Sequence, residues 1–222
     1  MAILSLEGTE RKPDRLEAFM DAVLAIAITL PVVELHAPKK ADGDLAAAYL
    51  KLAPDYAAYG LSVILIGLYW ASSHFSGKLL QKTDHAYNLL SIGFLAAVSI
   101  TPFPARPLVE HLAGDAESKA AVLVYLGVAA APATWWFVRW VYATARALPD
   151  PRLTDAYLRR LTIKYGVTAG AYWAAFGLAF WNWRIGLVAA GIVTLSYIIP
   201  PARPVFKASD DRPSEYGSNT GA

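Results

Sequence analysis

The chain has 222 residues, 56% hydrophobic and 17% charged, with a formal net charge of +2 and a mean hydropathy of +0.36. A soluble domain carries about a quarter charged residues, so the composition points to a membrane protein, and a charge this small, with no basic cluster interleaved with aromatics, argues against nucleic acid as a partner. The absence of cysteine excludes disulfides, thiol catalysis and thiolate metal sites.

The first apolar run, from Leu16 to Leu35, is 20 residues long, about 30 Å of helix and enough to cross a bilayer. It does not read as a cleaved signal peptide, because it is too long for an h-region, contains Asp21 and lacks a small-x-small site. Five more runs poor in charge follow, at about Tyr56–Gly77, Ala86–Ala105, Ala120–Val138, Tyr165–Trp181 and Ile185–Pro201. Each has the length of a spanning helix and none sustains the alternation of a strand. The expected fold is therefore an all-α integral membrane protein with six transmembrane helices. It comprises a six-helix unit over residues 1–207 and a polar, disordered cytoplasmic tail over 208–222. Seven tryptophans and twelve tyrosines suit aromatic belts at the bilayer surfaces. Asn182, Trp183 and Arg184 alone separate the last two runs, which predicts a tight helical hairpin.

Charge bias sets the orientation. With the N-terminus inside, the inner segments hold 14 of the 20 Lys and Arg residues: Arg11, Lys12, Arg15, Lys78, Lys82, Arg139, Arg146, Arg152, Arg159, Arg160, Lys164, Arg203, Lys207 and Arg212. The outer segments hold the other 6: Lys39, Lys40, Lys51, Arg106, Lys119 and Arg184. The positive-inside rule then puts both termini in the cytoplasm. The basic stretch 139–164 reads as a cytoplasmic loop, with contact to an anionic leaflet as the alternative. No internal repeat supports an inverted-repeat transporter.

Ile26, Thr29, Leu30 and Val33 form one stripe on the first helix, extended by Ala22 and Phe19, with Arg15 near its foot. Asp21 lies roughly 140° from Ile26 on the same wheel and is expected to face the subunit's own bundle. Its candidate partners are Trp70 and His74, on one face of helix two, and Asn88 at the start of helix three; an indole N–H, an imidazole and an amide supply the donors a carboxylate there needs. Glu34, at the outer end, reads as a solvated interfacial carboxylate, with attraction of cations toward a pore mouth as the alternative. Pro31 predicts a kink or a freed Ala27 carbonyl. Pro102 and Pro104 end the third run, Pro132 is a candidate bend in the fourth, and Gly166-x-x-x-Gly170 is a close-packing pattern. His36, His85 and His111 are scattered with His74 and predict no metal site; no cofactor motif is present.

Arg15-x-x-x-Phe19-x-Asp21, the continuation Ala25-Ile26-Ala-Ile-Thr29-Leu30, Trp70-x-x-x-His74, Asn88 and Pro102-Phe103 together resemble, in order and on the matching helices, the transmembrane protein 175 family of potassium channels. The family signature is Arg-x-x-x-Phe-Ser-Asp; here Met20 replaces the serine. The resemblance implies a homotetrameric potassium-selective channel in a prokaryotic plasma membrane, with helix one lining the pore. It implies apolar rings at Ile26, Leu30 and Val33 with Thr29 between them, and Arg15, Phe19, Asp21, Trp70, His74 and Asn88 as a packing network behind the pore. The expected partners are potassium ions, the lipid bilayer and further copies of the chain; no cofactor and no resident metal are expected, and the chain is not expected to be an enzyme. The sequence contains no Thr-Val-Gly-Tyr-Gly filter loop and no acidic residue on the stripe. Two other functions compete: a proton-coupled carrier or intramembrane enzyme using Asp21 and His74, and a non-conducting membrane scaffold.

Overall fold

A computed structural model describes residues 12–38, 44–112, 116–199 and 202–207. The predicted tail over 208–222 lies outside the described residues. Among those described there are eight α-helices and no strand, only the isolated antiparallel bridges Leu80–Pro149 and Leu153–Phe206. The helices are α1 (Asp14–Thr29), α2 (Leu45–Lys51), α3 (Ala53–Gly77), α4 (His85–Ser99), α5 (Ala105–Glu110), α6 (Ser118–Ala145), α7 (Asp155–Trp181) and α8 (Trp183–Ser196). A 3₁₀ turn, Leu30–Glu34, continues α1. Among the described residues three stretches are long and apolar enough to cross a membrane: Asp14–Glu34, Ala53–Gly77 and Ser118–Ala145. α4 and α8 are shorter apolar helices, and α7 is 27 residues long with a basic opening.

The proline positions shape the first and third runs as the sequence predicts. The α-helix gives way to the 3₁₀ turn next to Pro31, because proline has no N–H to return to the carbonyl four residues back. α4 stops at Ser99, six residues short of the expected end. Its Val98 carbonyl accepts instead from the Thr101 backbone N–H at 3.0 Å and the Thr101 hydroxyl at 2.7 Å. Pro104 then opens α5. Pro132 sits buried inside an uninterrupted α6.

Two boundaries differ from the sequence reading. α6 runs to Ala145 rather than Val138, and α7 begins at Asp155 rather than Tyr165. The stretch 139–164 is thus mostly helix, and the true connection is the short turn 146–154. Thr154 caps α7 by accepting from the Tyr157 N–H; such a cap offsets the cost of starting a helix outside the apolar run.

α6 packs against α7, α4 and α8, with α7 also on α8, while α1 lies on α3 and α4. One buried cluster joins Met20, Leu24 and Ala27 of α1 to Ile66, Phe94, Val98, Trp136 and Tyr165. A second, alanine-rich cluster holds α6, α7 and α8 together. The predicted hairpin is present: Asn182 ends α7, and its side-chain oxygen accepts from the N–H groups of Arg184 and Ile185 at the start of α8.

Close approach of the last two helices depends on a glycine other than the expected pair. A Cβ on Gly186 would stand 2.6 Å from the Ala175 carbonyl oxygen and 2.7 Å from Ala179 Cβ. At Gly170 a Cβ would meet open space, and at Gly166 it would meet the Phe137 ring at 3.1 Å. The Gly-x-x-x-Gly pattern therefore supplies one contact rather than a packing face. Gly186→Ala is expected to destabilise the protein by about 1–3 kcal/mol through overpacking, whereas Gly170→Ala should be neutral or stabilise by up to about 1 kcal/mol through helix propensity. Denaturant unfolding in detergent followed by circular dichroism measures both, and equal effects would refute the assignment.

Candidate functional site

The exposed stripe of α1 and the residues behind it form the candidate site. Ile26 is 57% exposed, Leu30 61% and Val33 72%, and Phe19 lies on the same side at 49%. The opposite face, through Met20, Leu24 and Ala27, is buried against the bundle. Thr29 is also exposed, and its hydroxyl donates to its own helix, to the Ile26 carbonyl at 3.0 Å and the Ala25 carbonyl at 3.1 Å. A groove of about 630 Å³ opens beside the C-terminal half of the stripe, lined by Ile26, Leu30, Glu34, Tyr59, Phe103 and Arg106 among others. At its rim Arg106 pairs with Asp55 at 3.0 Å and Glu110 at 2.9 Å. The hydrogen bond to Glu110, then the charges of Asp55, Glu110 and Glu34, hold this guanidinium above its ordinary pKa. Glu34 itself is exposed at the end of the 3₁₀ turn.

Behind the stripe, the Trp70 indole N–H donates to Asp21 Oδ1 at 3.0 Å. His74 stacks on Trp70 with ring centres 6.0 Å apart. Glu17, Met20, Asp21, Ser73 and His74 line a small gap of about 10 Å³, scarcely enough for one water. Arg15 is exposed. Asn88 is not drawn into this group: its backbone N–H bonds to the Asp84 carbonyl, and its Oδ1 is buried without a hydrogen-bond partner among the described residues. Of the six residues expected to form a network, the structure thus joins Asp21, Trp70 and His74.

Two residues outside that expectation organise the region. Arg139, counted from the sequence as a loop cation, is inside α6 and only 3% exposed. Its guanidinium carbon lies 4.5 Å from the Trp136 ring centre, 4.8 Å from Phe94 and 5.6 Å from Tyr87. One of its N–H groups donates to the Met20 sulfur at 3.4 Å. The substitution in the family signature therefore places a soft acceptor against a buried cation. Asp84 is the second. It caps α4 through the Tyr87 N–H at 2.8 Å, accepts from the Tyr142 hydroxyl at 2.8 Å, and lies 4.0 Å from Arg146. The Asp before a helical run was a readable capping signal; the aromatic cage of Arg139, assembled from positions far apart in sequence, was not. The described residues contain no group of three or more potential metal ligands.

A double-mutant cycle tests the sulfur contact. Leu for Met is close to isosteric and by itself costs under about 1.5 kcal/mol. In the wild-type background Met20→Leu should cost up to about 3 kcal/mol, because it strips a buried charged donor of its acceptor, and far less after Arg139→Leu. A coupling energy below about 0.5 kcal/mol would show the pair to be independent.

Comparison with known proteins follows the same residues. The family model for the endosomal/lysosomal potassium channel TMEM175 matches residues 15–102. A potassium channel of Streptomyces collinus is 34% identical over 185 residues, covering 82% of this chain and 90% of the relative. One from Chamaesiphon minutus is 34% identical over 170 residues, covering 75% and 83% respectively. The crystal structure of a lysosomal potassium-selective channel TMEM175 homolog from Chamaesiphon minutus superposes with a TM-score of 0.70 at 29% identity, covering 83% of this chain and 95% of that one. The chain belongs to the TMEM175 family, as its helix-one signature suggested; the members named here are channels rather than enzymes.

Proposed function

We propose that this TMEM175 family member is the subunit of a homotetrameric potassium-selective channel of a prokaryotic plasma membrane. Six helices, α1, α3, α4, α6, α7 and α8, span the bilayer, both termini are cytoplasmic, and α1 lines the pore. The observation that carries the reading is the outward-facing apolar stripe of α1, with Ile26, Leu30 and Val33 more than half exposed on a helix long enough to cross a membrane. A single subunit leaves this face without a protein partner, and assembly around an axis would bring four copies together. The named channel relatives and the signature at Arg15, Phe19 and Asp21 support the permeant ion.

In this mechanism Ile26 forms the narrowest ring, with Leu30 and Val33 as further rings toward the outside. An apolar ring offers no ligand to replace hydration water. An ion must cross with part of its shell removed, and the larger potassium ion gives up water at lower cost than sodium. The same ring closes by dewetting when it narrows, so filter and gate coincide. Of the network the family signature implies, Asp21, Trp70 and His74 act behind the pore, tying α1 to α3; Phe19 shares the side of the stripe, and Arg15 and Asn88 stand apart from the group. A carrier or enzyme built on Asp21 and His74 gains no support: the aspartate is engaged by Trp70, and the gap beside it has no room for a substrate.

Ile26→Asn is expected to raise conductance and lower the potassium over sodium preference, read from bi-ionic reversal potentials in planar bilayers. Unchanged conductance and reversal potential in a correctly assembled Ile26→Asn channel would move the constriction to another helix. Orientation is checked separately by reporter fusions, with a reporter near Arg152 expected on the cytoplasmic side.

A further inference from the structure

The start of α7 and the segment 202–207 beside the 146–154 turn carry a group of cations that no carboxylate among the described residues neutralises. Arg160 and Lys164 stand one helical turn apart on α7, a spacing that makes their side chains neighbours. Arg160 acts electrostatically on both Lys164 and the Tyr157 phenol. The Lys164 ammonium lies 5.3 Å from the centre of the Tyr197 ring. That ring is fixed in turn: the Tyr197 hydroxyl donates to Thr168 Oγ1 at 2.8 Å, and the Thr168 hydroxyl donates to the Lys164 carbonyl at 2.9 Å.

A third cation is brought to the same end of the bundle by residues 202–207. The Tyr157 hydroxyl donates to the Ala202 carbonyl at 3.1 Å. Thr154 N–H donates to the Val205 carbonyl at 3.0 Å, and Lys207 N–H to the Arg152 carbonyl at 2.8 Å. Arg203 is exposed within this tethered segment. Among the described residues Arg160, Lys164 and Arg203 make no ion pair, and the nearby Asp150 is occupied by Arg152 at 2.5 Å. Like charges one turn apart repel, so the arrangement has room for an anion that the described residues do not supply.

The surroundings identify the anion's carrier. Beside the cations, Ile163 is 55% exposed, Val167 65% and Ile198 61%. A narrow half-open crevice lined by Leu65, Leu68, Trp136, Tyr165 and Tyr197 runs alongside. α8 packs chiefly on α7 and α6, while α1 packs on α3 and α4, so with the proposed pore on the α1 stripe this corner would face the bilayer. A cationic edge continuous with a lipid-facing apolar surface matches an amphiphile with a negative head, whereas an acidic soluble protein would have no use for the apolar half.

We propose that this corner binds an anionic phospholipid of the adjoining leaflet, its phosphodiester held by Arg160 and Lys164 with Arg203 beside them, and its acyl chains along Ile163, Val167 and Ile198. Paired basic residues at a membrane surface draw anionic lipid, and the attraction is confined to about a Debye length. The site rests on the proposed arrangement for its lipid-facing position and for which leaflet supplies the lipid, but its test needs no ion flux, so failure here and failure of the channel reading are separable.

The test is native mass spectrometry of the full-length protein released from mixed micelles of equal parts phosphatidylglycerol and phosphatidylcholine. Wild type should retain the anionic lipid over the zwitterionic one by about five-fold or more, less at about 0.5 M salt. The double variant Arg160→Gln, Lys164→Gln should abolish most of that preference; Arg160→Lys with Lys164→Arg should keep it, as should Lys119→Gln at the opposite end of α6. Millimolar glycerol phosphate should fail to compete, which separates a lipid from a free phosphate. No preference in wild type, or an unchanged preference in the correctly assembled double Gln variant, overturns the proposal. Should that variant fail to assemble, Arg160→Gln and Lys164→Gln made singly must each lower the preference, and no change in either overturns it equally.

Discussion

Arg139 is a permanent cation held where water scarcely reaches it, and among the described residues its listeners are three aromatic rings and a thioether rather than a carboxylate. An isolated charge in a low-dielectric interior is expensive. The ring faces and the sulfur offset that cost only while all of them stay in place, and they come from three helices: Met20 from α1, Tyr87 and Phe94 from α4, Trp136 from α6 itself. The arrangement therefore fixes not only position but rotation. With Met20 turned to the guanidinium, Leu24 and Ala27 follow onto the same face, and Ile26 is carried away from it, roughly 120° round the helix at about 100° per residue, with Leu30 and Val33 exposed beyond it. The exposure of the stripe is a consequence of what its opposite face must do.

The same logic separates what could be read in the sequence from what could not. Local rules were legible. Pro31 predicted the break in helix one, Pro102 and Pro104 the end of the third run, and Asn182 the hairpin; the Trp70–His74 spacing put a donor within reach of Asp21. Each depends on residues a few positions apart, or on a single group that demands a partner. Arg139 was misread because it follows directly on an apolar run, where a charge ordinarily marks the end of a span; the rings that solvate it lie 3 to 52 positions away in the chain and leave no periodic trace. The opening of α7 was missed for a related reason. Asp155 to Lys164 is polar and basic, so hydropathy excluded it, but the Thr154 cap and the packing of Tyr157 and Leu161 into the main cluster make it helix. Gly186 shows the limit of motif reading, since the contact that matters is set by the neighbouring helix and not by a glycine repeat.

Within a bilayer the exposed stripe carries a different meaning than it would in water. Lipid chains are as apolar as isoleucine or leucine, so burying the stripe against other copies gains little from the hydrophobic effect, and association has to come from shape and from polar groups. The subunit offers both on this side. The groove between α1, α3 and the α4–α5 turn gives a concave surface beside a convex stripe, and the Asp55–Arg106–Glu110 group supplies charge at its rim. Self-complementarity of this kind suits cyclic assembly, in which one face meets the next around an axis.

Thr29 then becomes informative. It is the one hydroxyl on the stripe, and its proton is already spent on the Ile26 and Ala25 carbonyls. A threonine bonded back to its own helix presents a methyl group and an oxygen that can only accept, so it offers no donor to an anion and one weak ligand to a cation. One turn beyond Ile26, Pro31 withholds an N–H from the helix ladder and the backbone tightens to 3₁₀ geometry. The C-terminal part of the stripe is therefore wound differently from the part at Ile26, and the proposed rings at Leu30 and Val33 would not repeat the spacing of the one proposed at Ile26. A constriction set in the regular α-helix, where rotation is fixed by the Met20 anchor, is better defined than one in the 3₁₀ segment, where no described residue is buried. That difference, rather than side-chain size, is the physical reason to put the narrowest ring at Ile26.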